Sequence, residues 1–509
     1  MRISRIEIKD FRAFSGEPLT IDLTLKGKNL LVYGENGSGK SSLYLALKDF
    51  LECAAKKHDI LKSPYRNIFV KTKDAYVKLT FNDPNDATVP AEVFEWSHTT
   101  NDTANLLILE VDKAKGFLDY KALLRTYFLQ QERDTVNIFD LLIKGLLAGV
   151  ENDLTGRTFG DEWELIQKSI PKKNTEKQIR PLSKLLTDFN DGLRVKLDEL
   201  KTKVGEMLGY FGYQISVDFV FAGVSYNRKP RRQDKGFDNC DVGLKVTFFT
   251  EELTNHHHLL NEAKLSAIAI AIFLAALTFQ PSPSRGVRIL ALDDVLIGLD
   301  MSNRLPVLEI LHNLFADYQI FFITYDRAWY EIVKQRIDSR KEAAKWKYVE
   351  FFSGSTFEHE LPIYAEDKKY LDVAKAYLAQ NDYKAAVIYL RTHFEKIIKN
   401  FCDNRDLRVR YKINQKQVTG ENFWKAVLEG HPAGSPPFVS AALATQVETY
   451  RKVILNPLSH PLLETVHRRE VEESITTIET LETELRAHTR VRAATPAPPA
   501  VPAASATPP

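Results

Sequence analysis

Cysteine is scarce in this chain of 509 residues: only Cys53, Cys240 and Cys402 occur, too scattered for a zinc site and too few for a disulfide framework. That usage fits a reducing cytoplasm. Net charge is scarce as well. Lys and Arg number 69 against 67 Asp and Glu, which leaves +2, so a nucleic-acid surface has to be local and not a property of the whole chain. Long apolar runs are missing: the most apolar helical stretch, Ala267 to Leu277, is too short to span a bilayer, and the alternating start Met1-Arg2-Ile3-Ser4-Arg5-Ile6-Glu7-Ile8 has no signal-peptide core. What remains is 44% hydrophobic and 27% charged, the balance of a globular protein. A soluble cytoplasmic protein of about three domains, without a membrane partner, is expected.

The clearest feature present is Gly34-Glu35-Asn36-Gly37-Ser38-Gly39-Lys40-Ser41, a G-x-x-x-x-G-K-S pattern. It follows the buried-strand run Leu30-Leu31-Val32-Tyr33 and precedes the helix start Ser42-Leu43-Tyr44-Leu45-Ala46-Leu47. That strand–loop–helix context is what a phosphate-binding P-loop requires. Glycines let backbone N–H groups wrap phosphates, a lysine reaches the β and γ phosphates, and a hydroxyl ligates Mg²⁺. Asn36, Gly37, Ser38, Gly39, Lys40, Ser41 and Ser42 are therefore the candidate ATP-binding residues, with Ser41 also a Mg²⁺ ligand.

Upstream, Ile6 and Ile8 alternate with polar neighbours, Asp10-Phe11-Arg12-Ala13-Phe14 turns, and Leu19, Ile21 and Leu23 alternate again. This I-x-I-x-x-F-R-x-F opening and the loop GENGSGKSS resemble the RecF/SMC branch of the ABC ATPases. The resemblance implies that Arg12 lies near the nucleotide. It also implies that Gln130 or Gln131 serves as a Q-loop residue near Mg²⁺. Short alternating runs between residues 68 and 110, such as Tyr76 to Phe81 and Leu106 to Val111, are expected to add strands to the same lobe.

Four later segments extend the likeness. Leu260-Asn261-Glu262-Ala263-Lys264-Leu265-Ser266 stands where this family carries its signature loop, with Asn261 in place to supply a polar group to the γ-phosphate of a partner subunit. Arg288-Ile289-Leu290-Ala291-Leu292-Asp293-Asp294 is a buried-strand run ending in two acids, a Walker B. Asp293 is the expected Mg²⁺ ligand, and Asp294 occupies the position of the catalytic carboxylate that orients or deprotonates water. Gly298-Leu299-Asp300 resembles the D-loop. Ile320 to Thr324 is another buried strand, and Tyr325 after it stands where the family has a switch histidine. Because the signature acts in trans, the family pattern implies a head-to-head homodimer, or a higher oligomer, holding two ATP molecules.

Residues 150–212 carry Lys, Glu and Leu at helical spacing, most clearly from Leu182 to Leu208, a stretch entered just after Pro181 and interrupted by Gly192 and Gly205, and are expected to form a short helical arm. At ~1.5 Å rise per residue such helices reach only tens of Å, which excludes a long DNA-bridging coiled coil. Arg228-Lys229-Pro230-Arg231-Arg232 is the densest basic run, either a solvated loop or a phosphate-binding patch. His256, His257 and His258 read as a polar loop and not a metal site.

From Ala365 onward the pattern is helical. Arg391-Thr392-His393-Phe394-Glu395 and a downstream His460 resemble HEPN domains, and on an ABC-type ATPase they resemble the PrrC/RloC-type anticodon nucleases. A helix puts Arg391 and Glu395 on one face. Metal-independent RNA cleavage by such a site would use Glu395 and His460 for proton transfers and Arg391 as the phosphate clamp. A second placement uses Arg451, Asn456 and His460. The expected organisation is an α/β ABC-type ATPase N-terminal lobe (1–150), a short helical arm (151–212), an ATPase C-terminal lobe (213–362), an all-α HEPN-like bundle (363–490) and a disordered Pro/Ala-rich tail (491–509). The function expected from the resemblance is an anti-phage defence ATPase, with ATP and Mg²⁺ as cofactors, that gates a ribonuclease acting on tRNA or other RNA. The alternative is a RecF/SMC-like sensor or scaffold controlling a separate effector, as in Septu-like or retron-linked systems, or acting on DNA in repair.

Overall fold

In a computed structural model, residues 1–56, 58–62, 64–124, 137–253, 256–355, 360–366, 370–409, 419–432, 434–452 and 467–488 are described. The chain divides into two compact units, Met1–Glu366 and Asp367–Pro509. Among the described residues no helix is long and apolar enough to cross a membrane.

The first unit is built on a six-stranded sheet ordered Glu360–Glu366, Trp346–Ser355, Asn29–Gly34, Gln319–Thr324, Ile289–Asp293 and Gly116–Asp119. All neighbours are parallel except the outermost pair, where Glu360–Glu366 runs antiparallel to Trp346–Ser355. The central strands read as unbroken apolar runs because both faces are covered. Leu30, Val32, Ala291, Phe321 and Ile323 enter one core. Leu31, Leu290, Leu292, Ile320 and Phe322 enter the other. The helix Lys40–Lys56 buries Leu43, Leu47 and Phe50 in the first core, under an antiparallel sheet ordered Leu19–Asp22, Arg2–Lys9, Tyr76–Asn82 and Glu92–Ser97.

Two sequence expectations are corrected here. Leu106–Ala114 is a helix and not a strand: Leu107, Ile108, Val111 and Ala114 are its buried residues, a helical spacing, and the Asn105 side chain caps its start by accepting from the Leu107 N–H at 2.9 Å. The helix expected to start after Pro181 and to be interrupted at Gly192 and Gly205 starts before Pro181 and runs through both glycines. Glu176–Phe211 is one uninterrupted helix, with Pro181 inside it and a stripe from Ile179 to Phe211 buried. Much of this stripe, including Phe189, Leu193 and Leu200, lies in the same core as the apolar helix Glu262–Leu277. Gly192 does not break the helix; a Cβ there would lie 2.0 Å from the Asn152 Oδ1, so glycine is what lets the Glu151–Asn152 strand approach.

The second unit contains helices Tyr370–Ala379, Tyr383–Asn404, Gly420–Glu429, Ala441–Tyr450 and Arg468–Ala487. Leu390, Phe394, Ile398, Trp424, Val447, Ile478 and Leu481 form its core. The Pro/Ala-rich tail expected to be disordered falls outside the described residues.

Candidate nucleotide-binding site

Three adjacent parallel strands end at one place and carry the chemistry there. Asn29–Gly34 leads into the P-loop, Ile289–Asp293 ends in the paired acids, and Gln319–Thr324 lies between them and leads to Tyr325. In open parallel sheets, ligands bind outside the carboxyl ends of the strands.

Gly37 and Gly39 adopt positive φ of 83° and 93°, the left-handed backbone that lets successive N–H groups converge. Gly39 has a second constraint. A Cβ there would lie 2.8 Å from the Pro362 Cγ and 3.4 Å from the Phe14 ring. Thus the edge strand Glu360–Glu366 backs the phosphate loop, and sequence reading missed this because Pro362 stands more than three hundred residues away.

Lys40 is 5% exposed. Its Nζ donates to the Glu35 carbonyl at 2.9 Å. Burial lowers its pKa, while Asp294, Asp293 and Glu35 act to raise it. Burial pushes the Asp293 carboxyl up to about 6 and Asp294 adds to the rise, while the Ser41 hydroxyl and Lys40 oppose it. The Asp293 Oδ1 and the Ser38 Oγ are buried with no hydrogen-bond partner among the described residues. A buried acceptor beside a hydroxyl, facing a glycine cradle with a lysine, fits Mg²⁺–ATP: Ser41 and Asp293 would hold the ion, and the loop from Asn36 to Ser42 the phosphates. No group of three or more His, Cys, Asp or Glu among the described residues could hold a metal.

Asp294 sits at φ 52°, a left-handed conformation that Asp and Asn tolerate better than most residues. Its backbone N–H donates to the Ile323 carbonyl at 3.1 Å. Its Oδ1 accepts from the Tyr325 N–H at 2.8 Å. Burial raises its pKa, against the pull of Lys40. The expected acid and switch residue are therefore joined through the backbone of Tyr325, a residue that is 39% exposed.

The remaining expected residues are placed as follows. Arg12 has φ 51° on its turn, and its Nη1 donates to the Pro64 carbonyl at 3.3 Å. That turn meets the P-loop helix where the Ala13 N–H donates to the Ser42 Oγ at 3.4 Å. Asn261 caps the helix Glu262–Leu277, accepting from the Lys264 N–H at 3.1 Å, and Asp300 caps Met301–Leu314. Gln130 and Gln131 lie outside the described residues. Asp119 was missed: it pairs with Asp293 across the neighbouring strand and its charge also raises the Asp293 pKa. Its strand, Gly116–Asp119, ends in an acid like the Walker B, but four residues give no periodicity to read.

Just before Asn261, His256 is 5% exposed and neither ring nitrogen has a partner among the described residues. Burial, with a contribution from His257, pushes its pKa down to about 4. The unfolded chain binds the proton more readily, so the stability His256 contributes is present above about pH 6.5 and is lost as pH falls towards 4, on the order of 3 kcal/mol in all. Urea denaturation from pH 7.5 to 4.5 should show this loss, and His256→Leu should flatten it; an unchanged pH slope in the variant would refute the assignment.

In the second unit, the Arg391 Nε meets the Glu395 Oε1 at 3.2 Å, and the Lys399 Nζ meets the Glu395 Oε2 at 3.5 Å. Arg391 and Glu395 thus share a face and are each about one-third exposed. Arg451 is buried and holds Glu448 with two hydrogen bonds, at 3.1 and 2.9 Å. His460 and Asn456 lie outside the described residues.

A comparison with curated proteins gave no match. Among solved structures, similar chains include an Smc head bound to the C-winged helix domain of ScpA (12% identity, covering 73% of this chain and 100% of that one, TM-score 0.41). Others are the SMC head domain from Thermotoga maritima (15%, 72% and 100%, 0.32) and the recombination mediator protein RecF of the RecFOR pathway (14%, 64% and 92%, 0.38). The RecF/RecN/SMC N terminal domain matches residues 2–346, a span that carries the P-loop, the paired acids and Tyr325, and the chain belongs to that family.

Proposed function

We propose that the protein is an ATP-hydrolysing switch of the SMC/RecF kind. On this reading it works as a homodimer, senses nucleic acid and controls an effector. The convergence of Lys40, Ser41, Asp293 and Asp294 at the ends of adjacent strands is the observation that carries the reading. ATP would bring the phosphates that Lys40 and the loop amides neutralise and that complete the Mg²⁺ shell. Asp294 would orient or deprotonate water, and Asn261 and Asp300 would face the partner subunit's site. Asp294 is one methylene shorter than the glutamate usual at its position, and Tyr325 cannot shuttle a proton near neutral pH as histidine does. Both features favour slow turnover, suited to a timer.

A local basic surface supports nucleic-acid sensing. Lys172 and Lys173 are exposed beside Lys229 and Arg231, because the Asn174 Nδ2 donates to the Arg228 and Lys229 carbonyls at 2.6 and 3.2 Å. None of these four forms an ion pair among the described residues, which leaves them available to phosphates.

A second reading makes the helical unit itself the effector, a HEPN-type ribonuclease acting in anti-phage defence. The half-buried Arg391–Glu395 pair favours it, since phosphate clamp and proton-transfer group must share one face. One experiment tests both readings. The purified protein is incubated with Mg²⁺–ATP and total tRNA, and phosphate release and RNA cleavage are followed. Asp294→Asn, which keeps a residue tolerant of φ 52°, should lower turnover about 10²-fold; undiminished turnover would remove Asp294 from its role. Cleavage abolished by His460→Ala would support the ribonuclease, and absence of cleavage in every nucleotide state would leave the separate effector.

A further inference from the structure

Beyond the residues that meet nucleotide, one arginine links the loop facing the dimer partner to the hydrolytic acid. We propose that Arg304 is a positioning residue that makes the D-loop and the Asp294–Tyr325 pair move together; this rests on the ATPase reading above.

Arg304 lies in the first turn of the helix Met301–Leu314, and its side chain is 11% exposed. The Nε donates back to the Leu299 carbonyl, in the D-loop, at 2.8 Å. The Nη1 donates to the Asp326 Oδ2 at 2.6 Å. The guanidinium also lies over the Trp329 ring, 5.8 Å from its centroid. Holding two partners with separate edges of one planar group is something arginine does and lysine does not.

Asp326 divides its two oxygens between two tasks. The Oδ1 accepts from the Trp329 N–H at 3.1 Å and caps the helix Arg327–Ser339. The Oδ2 holds Arg304. The preceding residue, Tyr325, donates its N–H to the Asp294 Oδ1 at 2.8 Å, and the Asp294 N–H is tied to the Ile323 carbonyl. Hydrogen bonds therefore run from the Leu299 carbonyl through Arg304 to Asp326, the peptide bond joins Asp326 to Tyr325, and the Tyr325 N–H completes the path to the Asp294 carboxylate. Asp294, at φ 52°, depends on neighbours to stay in place.

Displacing the D-loop pulls on Asp326, and with it on the amide that aims Asp294. A partner subunit pressing on the D-loop thus sets the position of the acid, although Arg304 need touch neither nucleotide nor water. A small misplacement of a reacting group is costly in rate and need not alter ground-state binding.

The test uses Arg304→Ala, Arg304→Lys and Asp326→Ser in the full chain. Serine retains a capping oxygen while losing the ion pair. ATP affinity should stay within about 2-fold, whereas kcat should fall about 10-fold or more in Arg304→Ala and Asp326→Ser alike. The double variant should be no worse than either single one, and Arg304→Lys should recover part of the loss. Specific activity should also lose its rise with protein concentration. Hydrogen exchange supplies a readout without turnover: Arg304→Ala should deprotect both residues 296–303 and the Tyr325 amide. Unchanged kcat in a hydrolysing protein, additive losses, or deprotection confined to 296–303 would overturn the coupling. A wild-type protein that hydrolyses no ATP would overturn the ATPase reading, and the exchange result would still decide the coupling.

Discussion

Lys40→Ala should lower ATP turnover about 10²–10³-fold, the range seen when one preorganised group aimed at developing charge is removed. The expected loss is large because the surroundings of Lys40 are built for a cation. Its ammonium is buried at the mouth of the loop, held by the Glu35 carbonyl at 2.9 Å. Asp293 and Asp294 act on it with opposite charge. Without it the γ-phosphate would face the Asp294 carboxylate with only Mg²⁺ and the loop amides to offset its charge. Equilibrium binding of a fluorescent ATP analogue and single-turnover hydrolysis would separate the binding loss from the chemical one. Turnover within about 3-fold of wild type would mean that phosphate is not bound in this loop.

Phe189→Ala should destabilise the first unit by about 3–5 kcal/mol, the range for emptying an aromatic site in a packed core. Phe189 is fully buried. Its ring centroid lies 5.5 Å from that of Trp163, 6.0 Å from Phe159 and 6.5 Å from Phe139, so four aromatic groups from three segments meet there. Truncation leaves a cavity that rigid neighbours cannot collapse to fill. Val195, on the same helix but 51% exposed, supplies the control: Val195→Ala should change stability by no more than about 0.5 kcal/mol. Urea titration monitored by tryptophan fluorescence reads both. Equal, small effects from the two variants would mean that the helix projects into solvent.

The long helix also shows what the sequence could and could not convey. Leucines at helical spacing from Leu182 to Leu208 disclosed the helix, since periodicity is local. They could not disclose what the stripe packs against, because a helix that joins a core and one that pairs in an arm use the same spacing. The P-loop and the paired acids were legible for a different reason: each is a contiguous run in which strand, turn and chemistry follow one another. Leu106 to Val111 misled because a short apolar run fits strand or helix equally well. Asp119 and Arg304 were invisible for want of any local signal. Asp119 gains meaning only beside Asp293 on the next strand, and Arg304 only through Asp326, twenty-two residues away. For Gln130 and His460 the sequence reading stands alone, since both fall outside the described residues.

The contact between Gly39 and Pro362 bears on how such a chain could be recombined during evolution. The family match ends at residue 346, but Trp346–Ser355 pairs with the P-loop strand and Glu360–Glu366 pairs with it in turn. A lineage that exchanged its helical unit at residue 346 would leave the P-loop strand with an open edge and the phosphate loop without its Pro362 support. The viable seam lies after residue 366.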